Sequence, residues 1–316
     1  MTPPTKTMRD AFIGKLCDRM VEDKRLFFLT ADFGAPKLDK LREDFKDRFI
    51  NVGIAEQNLI NIATGIALEG FTVYAYAIAP FITMRPYEQI RNNLSLLAQT
   101  KEVNINLIGV GAGLSYDVSG PSHHCLEDII VMRALPHISV FSPSDWVLVE
   151  RFVDYSINVK GPKYLRFDSK PLPQIYDESS DFDLKKGFYE LSKGKDVCLV
   201  STGFMTHTAL SAVRELANEA VEVGLIDVFL FEPNEEMFFE AIKGYKTVIT
   251  LEEAFINRGG LDSLVSLILE CRDSNARVKR MGFKDRYVFE LGGRLHLHKL
   301  NGLDKEAVIK KIKEAL

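Results

Sequence analysis

The chain has 316 residues, 46% of them hydrophobic and 27% charged, with a net charge of −4. That length allows about two domains of an ordinary soluble globular protein. The basic residues are scattered along the chain, which excludes the electrostatic footprint of a nucleic-acid or anionic-membrane binder.

The cysteines, Cys17, Cys125, Cys198 and Cys271, are far apart and form no Cys-x-x-Cys pair. Neither a metal site nor a disulfide framework is therefore expected, and a cytoplasmic protein with reduced thiols is. The N-terminus lacks the apolar core of a signal peptide, and no apolar run reaches membrane-spanning length.

Residues 7–22 predict a helix, with Met8, Phe12, Leu16 and Met20 on one stripe and Arg9 at its start. Residues 26–32 form a continuous apolar run ending in a polar residue, as in a parallel strand covered on both faces. Asp32 then stands at the carboxyl end of that strand. It either shapes a turn or lies where open α/β sheets bind ligands.

The stretch 51–70 organises the remainder. It passes from an extended segment into a helix at Gly53-Ile54. Apolar residues recur at Ile54, Leu59, Ile62, Ala63, Ile66 and Ala67, and Gly70 takes the C-cap position. Glu56 lies in the first turn, where the helix dipole favours an acid. It also lies among Ile54, Ala55, Leu59 and Ile60, in a helix expected to be buried on most faces. A buried carboxylate needs a partner or a raised pKa.

Residues 72–79 read as a strand and 80–91 as a helix, with Phe81 at their junction. Residues 103–110 are a strand leading into a glycine-rich loop, 111–124, and a helix over 126–135. No Gly-Lys-Ser/Thr follows, so the loop is not a phosphate-cradling P-loop. A strand at 138–145, a helix at 146–158 and a strand at 163–168 carrying Arg166 complete the first unit. Residues 171–183 are polar and proline-bearing, as in a linker between domains 1–170 and 184–316. Strands at 197–202, 222–229 and 247–252 then alternate with helices at 206–219 and 235–243. The turn Gly259-Gly260 opens one more helix and either holds an anion or is structural. The fold class is α/β, with two parallel-sheet domains, the second smaller.

The segment Arg48–Gly70, with Gly53-Ile-Ala-Glu-Gln-Asn58 at its centre, closely resembles the pyrimidine-binding motif of transketolases, and is similar to that of 1-deoxyxylulose-5-phosphate synthases. The resemblance extends over nearly all of the chain and implies a pyrimidine-binding domain followed by a transketolase C-terminal-like domain lying away from the chemistry. It implies thiamine diphosphate as cofactor, with Glu56 hydrogen-bonded to N1′ of the aminopyrimidine. A protonated carboxyl there favours the imino tautomer, whose 4′-nitrogen takes the proton from the thiazolium C2. Phe81, matched within Phe81…Tyr87-Glu-Gln-Ile-Arg91, corresponds to the aromatic that stacks on the aminopyrimidine. Glu56, Phe81, Asp32 and Ile54 form the expected cofactor-binding set.

The loop ending Gly120-Pro-Ser-His-His124 resembles the transketolase loop whose histidine contacts substrate near the reacting carbonyl, and His123 matches it. His124 stands where the family usually has glutamine. Arg9 and Arg166 fall where the family binds the substrate phosphate; the alternatives are a solvated charge for Arg9 and a surface salt bridge for Arg166. Two positions depart from the pattern. Gly111 replaces a histidine that reaches the donor sugar, and Ser119 replaces an aspartate that reads a sugar hydroxyl. Sites built to hydrogen-bond a hydroxyl discriminate strongly, so an unusual substrate is expected.

The family's diphosphate domain carries Gly-Asp-Gly and a later asparagine, which ligate Mg²⁺. No Gly-Asp-Gly occurs here. The resemblance therefore implies a separate partner chain holding the diphosphate and Mg²⁺, no metal ligands on this one, and an α₂β₂-like assembly. The expected activity is transfer of a two-carbon ketol unit between a ketose, expected to be phosphorylated, and an aldehyde. The alternatives are a β subunit of a 2-oxo acid dehydrogenase or acyloin-forming enzyme, and a non-catalytic regulatory subunit.

Overall fold

The structure, a computed structural model, describes residues 4–177 and 183–316. Residues 178–182 of the expected linker lie outside the described residues. The N-terminal half contains strands β1 (Thr5–Lys6), β2 (Leu26–Thr30), β3 (Phe49–Asn51), β4 (Thr72–Ile78), β5 (Asn104–Val110), β6 (Ser139–Phe141), β7 (Lys163–Phe167) and β8 (Leu172–Pro173). Six of them make one parallel sheet in the order β3-β2-β4-β5-β7-β6. β1 pairs antiparallel with β8, so the first residues of the expected linker are fastened to the N-terminus. Asp145 adds to this by accepting from the backbone N–H groups of Ile175 and Tyr176 at 2.8 and 2.9 Å.

Side-chain alternation in β4 explains how helices are held on both faces. Val73, Ala75 and Ala77 point to one core with Leu59, Ala63 and Ala67 of the helix Glu56–Leu68. Tyr74 and Tyr76 point to the other, with Phe12 and Leu16 of the helix Met8–Glu22 and Phe152 of the helix Trp146–Asn158. Small residues let the Glu56–Leu68 helix approach the sheet closely, and aromatic ones fill the wider gap opposite.

The C-terminal half contains β9 (Phe188–Ser192), β10 (Val197–Ser201), β11 (Gly224–Val228), β12 (Thr247–Phe255) and β13 (Arg277–Phe283), ordered β13-β12-β10-β11-β9. This sheet is mixed rather than wholly parallel, because β9 runs antiparallel to β11.

Two local expectations are corrected, and a third is decided between its two alternatives. The helix at 51–70 begins at Glu56, two residues later than its apolar pattern suggested. Gly53, at φ +75°, and Ala55 form a turn ahead of it, and Ile54 in that turn is 77% exposed. The helix also shows solvent a full face, including Gln57, Asn58, Asn61 and Leu68. The helix predicted over 80–91 is broken after Met84, because Pro86 supplies no N–H and disfavours helical backbone before it. The turn Gly259-Gly260 offers no open anion site. The N–H groups of Leu261 and Asp262, which begin the helix Leu261–Glu270, donate to the Glu252 carboxyl at 2.8 and 2.9 Å. A Cβ at Gly260 would lie 2.3 Å from Glu252 Oε2, so the chain's own carboxyl fills the place.

Buried charge joins the two halves. Arg294, at the start of the helix Arg294–Leu300, ion-pairs through Nη1 with Asp168 and through Nη2 with Glu253, and its Nε donates to Glu253 at 2.9 Å. His298 adds a 2.5 Å contact to Glu253. Burial alone would raise the Glu253 pKa, but Arg294 and His298 hold it well below the usual carboxylate range. Among the described residues no helix is long and apolar enough to cross a membrane, and no cluster of metal-ligating side chains occurs.

These buried groups can be tested through stability. Arg294→Ala leaves Asp168 and Glu253 buried without their partner and is expected to cost about 3–5 kcal/mol, read from the urea midpoint. Glu252 behaves oppositely to Glu253, since burial lifts its carboxyl from 4.5 to about 7. The folded state then holds this proton more tightly than the unfolded state. Glu252 therefore subtracts stability as pH rises from 4.5 to about 7. Glu252→Gln removes that slope, but its amide can accept only one of the two N–H bonds, at a cost of about 1–3 kcal/mol. The deficit of the variant should shrink as pH rises across that interval in paired denaturation series; parallel stability curves would refute the assignment.

Candidate active site

The strand order reverses between β2 and β4: β3 lies to one side, and β5, β7 and β6 to the other. Ligands of open α/β sheets bind outside the carboxyl ends of strands at such a switch point. Asp32 leaves β2 there in left-handed backbone, φ 55°, its N–H bonded to Asn51 Oδ1 at 3.1 Å. Asn51 Nδ2 returns a 2.9 Å bond to Asp32 Oδ1, and Asn51 Oδ1 also accepts from Gly53 at 3.0 Å. These contacts fix the turn that precedes Glu56. Asp32 acts here as a turn-former beside the crevice.

Glu56 is 6% exposed, and its partner is Arg85, whose Nη1 donates to Oε1 at 2.7 Å. The Arg85 guanidinium carbon also lies 3.9 Å from the ring centre of Phe81, which opens the helix after β4. Phe81 meets His123 edge to face, with centroids 5.3 Å apart. His123 faces Tyr116 at 6.4 Å, and its Nδ1 is 3.1 Å from Ser122 Oγ. Glu56, Phe81 and His123 are thus brought together through side-chain contacts, with Ile54 on the open lip of the same turn. Arg9 is half-buried nearby. Burial works against its charge, but Tyr76, Asp10 and Tyr116 more than offset this and hold the guanidinium above its ordinary pKa.

Other residues of the loop divide by role. His124 is buried and structural, its Nε2 3.1 Å from the carbonyl of Asp117. Ser119 is exposed. Gly111 has φ +109°, and a Cβ there would fall 2.4 Å from the Tyr116 ring, so Tyr116 fills the space that a side chain at 111 would need. Asp117 pairs with Lys170 and accepts from the backbone N–H of Arg294 at 2.8 Å. Burial alone would raise its pKa, but Lys170 and the N–H groups of Arg294 and Val118 hold it below the usual range. The C-terminal half, expected to stand away from the chemistry, therefore braces the loop that carries His123.

Arg166 does not join this group. It is 2% exposed, with Nε 2.7 Å from Asp128 and Nη2 donating to the carbonyls of Cys125 and Glu253 at 3.1 and 2.9 Å. Its charge is balanced and enclosed between the two halves, out of reach of a phosphate.

Two regions of the chain match family models, "Transketolase, pyrimidine binding domain" over residues 5–174 and "Transketolase, C-terminal domain" over residues 188–308. The chain belongs to the transketolase family. It is 34% identical to one of the subunits of the apulose-4-phosphate transketolase of Actinobacillus succinogenes, over 86% of each chain. It is 32% identical to the transketolase of Rattus norvegicus over 86% of this chain but 43% of that one. Among solved structures it superposes on a chain described as a split-gene transketolase, inactive β4 tetramer, with TM-score 0.87, 29% identity and 98% of both chains covered.

Sequence reasoning missed Arg85, Tyr116 and Asp117. Arg85 left a readable signal, since it follows Phe81 by four residues, the spacing that places two side chains on one helical face. Asp117 left none, because its partners Lys170 and Arg294 lie 53 and 177 positions away.

Proposed function

We propose that this chain is the pyrimidine-binding subunit of a thiamine diphosphate-dependent transketolase, and that the Glu56–Phe81–His123 crevice holds the aminopyrimidine and the reacting carbonyl. The observation that carries this is the geometry of Arg85. A planar group with N–H donors already sits against both Phe81 and Glu56, donating to the carboxylate with its central carbon 3.9 Å from the ring centre. An aminopyrimidine asks for the same two neighbours, an aromatic ring to stack on and a carboxyl that shares a proton with its N1′. When bound, thiamine diphosphate supplies the carbanion chemistry that moves a two-carbon ketol unit from a ketose to an aldehyde.

The remaining work falls to this chain's own residues. Glu56 holds a proton at N1′ of the ring. Phe81 orients the ring by stacking on it. His123, in contact with Phe81, hydrogen-bonds the substrate oxygen at the reacting carbon. Arg9 offers a cation for a substrate phosphate at the same strand edge, a role that Arg166 is too enclosed to share. The exposed Ser119 and the Tyr116 ring over Gly111 replace the groups that would read an ordinary pentose phosphate, and a relative acting on apulose 4-phosphate fits this difference in substrate.

A second, cytoplasmic chain is proposed to bring the diphosphate site and its Mg²⁺, facing the open lip at Ile54 in an α₂β₂-like assembly. Glu56→Gln tests the reading in that reconstituted complex. Turnover should fall about 10²–10⁴-fold, the scale of general acid–base catalysis, with the cofactor still bound by near-ultraviolet circular dichroism. Full turnover by the variant would remove Glu56 from the chemistry.

A further inference from the structure

Arg85 belongs to no role so far assigned, yet it touches both cofactor-facing groups. It caps the helix Ala79–Met84 one turn beyond Phe81, and its own carbonyl accepts a 3.4 Å bond from Gln57 of the helix that begins with Glu56. Its side chain is 46% exposed while that of Glu56 is 7% exposed. A half-exposed arm therefore reaches inward to cover a buried carboxylate and an aromatic face. The guanidinium is planar, carries N–H donors along its edge and stacks on aromatic rings, which a lysine ammonium cannot imitate.

We propose that Arg85 is a placeholder for the cofactor ring. Its guanidinium and an aminopyrimidine compete for the same carboxylate and the same face of Phe81, and Arg85 swings outward as the ring enters. This rests on the thiamine reading of the crevice. The physical need is clear. Glu56 lies at an open lip, and without a partner it would be a buried, unpaired anion whenever the ring is away. A half-exposed ion pair and a single cation–π contact are each weak, so the arm can be displaced at small cost. Cofactor affinity is then a difference between two occupants of one place, and high salt, which weakens the ion pair, favours the aminopyrimidine, whose N1′ meets the Glu56 carboxyl across one shared proton, over the guanidinium.

The test titrates thiamine, without its diphosphate, into the full chain, with binding followed by saturation-transfer NMR, a method sensitive to millimolar affinity. Arg85→Ala should bind thiamine about three- to tenfold more tightly than wild type, the scale of one exposed ion pair plus one cation–π contact. Arg85→Lys should fall between them, since it keeps the charge and loses the plane. Guanidinium chloride should compete with thiamine in Arg85→Ala more strongly than sodium chloride at equal ionic strength, because the free ion can take the vacated place. Equal or weaker thiamine binding by Arg85→Ala, with wild type binding measurably, overturns the placeholder and leaves the thiamine reading intact. No thiamine binding by any of the three chains, with Glu56 and Phe81 unaltered and folding verified by far-ultraviolet circular dichroism, overturns the thiamine reading itself.

Discussion

Arg294 is the interaction on which the two halves depend. A guanidinium buried between Glu253 and Asp168 is tolerable only where opposite charges surround it, since the desolvation of each ion must be offset locally. Glu253 comes from the end of β12, and Asp168 lies just past the end of β7. The salt bridge therefore forms only when the carboxyl edges of both sheets are brought face to face. The same residue's backbone N–H holds Asp117, so the loop at the crevice takes its position from a contact made by the other domain. A second enclosed pair, Arg166 with Asp128, repeats the arrangement a short distance away and reaches across to the carbonyl of Glu253.

The crevice follows from topology and then from chemistry. A parallel sheet whose order reverses leaves a gap at its carboxyl edge, and the loops around that gap carry functional groups into it. The turn after β3 delivers Glu56, the helix after β4 delivers Phe81, and the loop after β5 delivers His123 and Tyr116. The polar network Asp32–Asn51–Gly53, exposed at the crevice edge, fixes the turn. Pro86 ends the short helix so that Arg85 stands free of a helical ladder on one side. The site is thus assembled from strand ends, with one acid that is buried and one cation that is half-exposed beside it.

Much of this was legible in the sequence because the carriers are local. Apolar runs 26–32 and 103–110 marked strands buried on both faces, and the Gly-Ile-Ala-Glu-Gln-Asn stretch pointed to Glu56. What was not legible depended on distance along the chain. Ile54 fitted the helical period, yet Gly53 in left-handed backbone pushes it out of the helix and into solvent. Arg166 read as a phosphate ligand or a surface salt bridge, because its partners, Asp128 and the carbonyl of Glu253, are 38 and 87 residues away. The Gly259-Gly260 turn left an anion site and a structural role open, and it is structural, because the Glu252 carboxyl of the preceding strand already takes its N–H groups. Spacing shows where a group can point, while only packing shows what already waits there.

Gly111 and Tyr116 have a consequence for how such a pocket can change over time. A side chain at 111 meets the Tyr116 ring at 2.4 Å, whereas a smaller residue at 116 offends nothing at 111. The two positions are ordered: 116 must shrink before 111 can grow. A lineage carrying this pair therefore regains a side chain at 111 only once position 116 has shrunk and the backbone at 111 has left φ +109°, whereas the reverse sequence of steps passes through a protein with a clash in its loop.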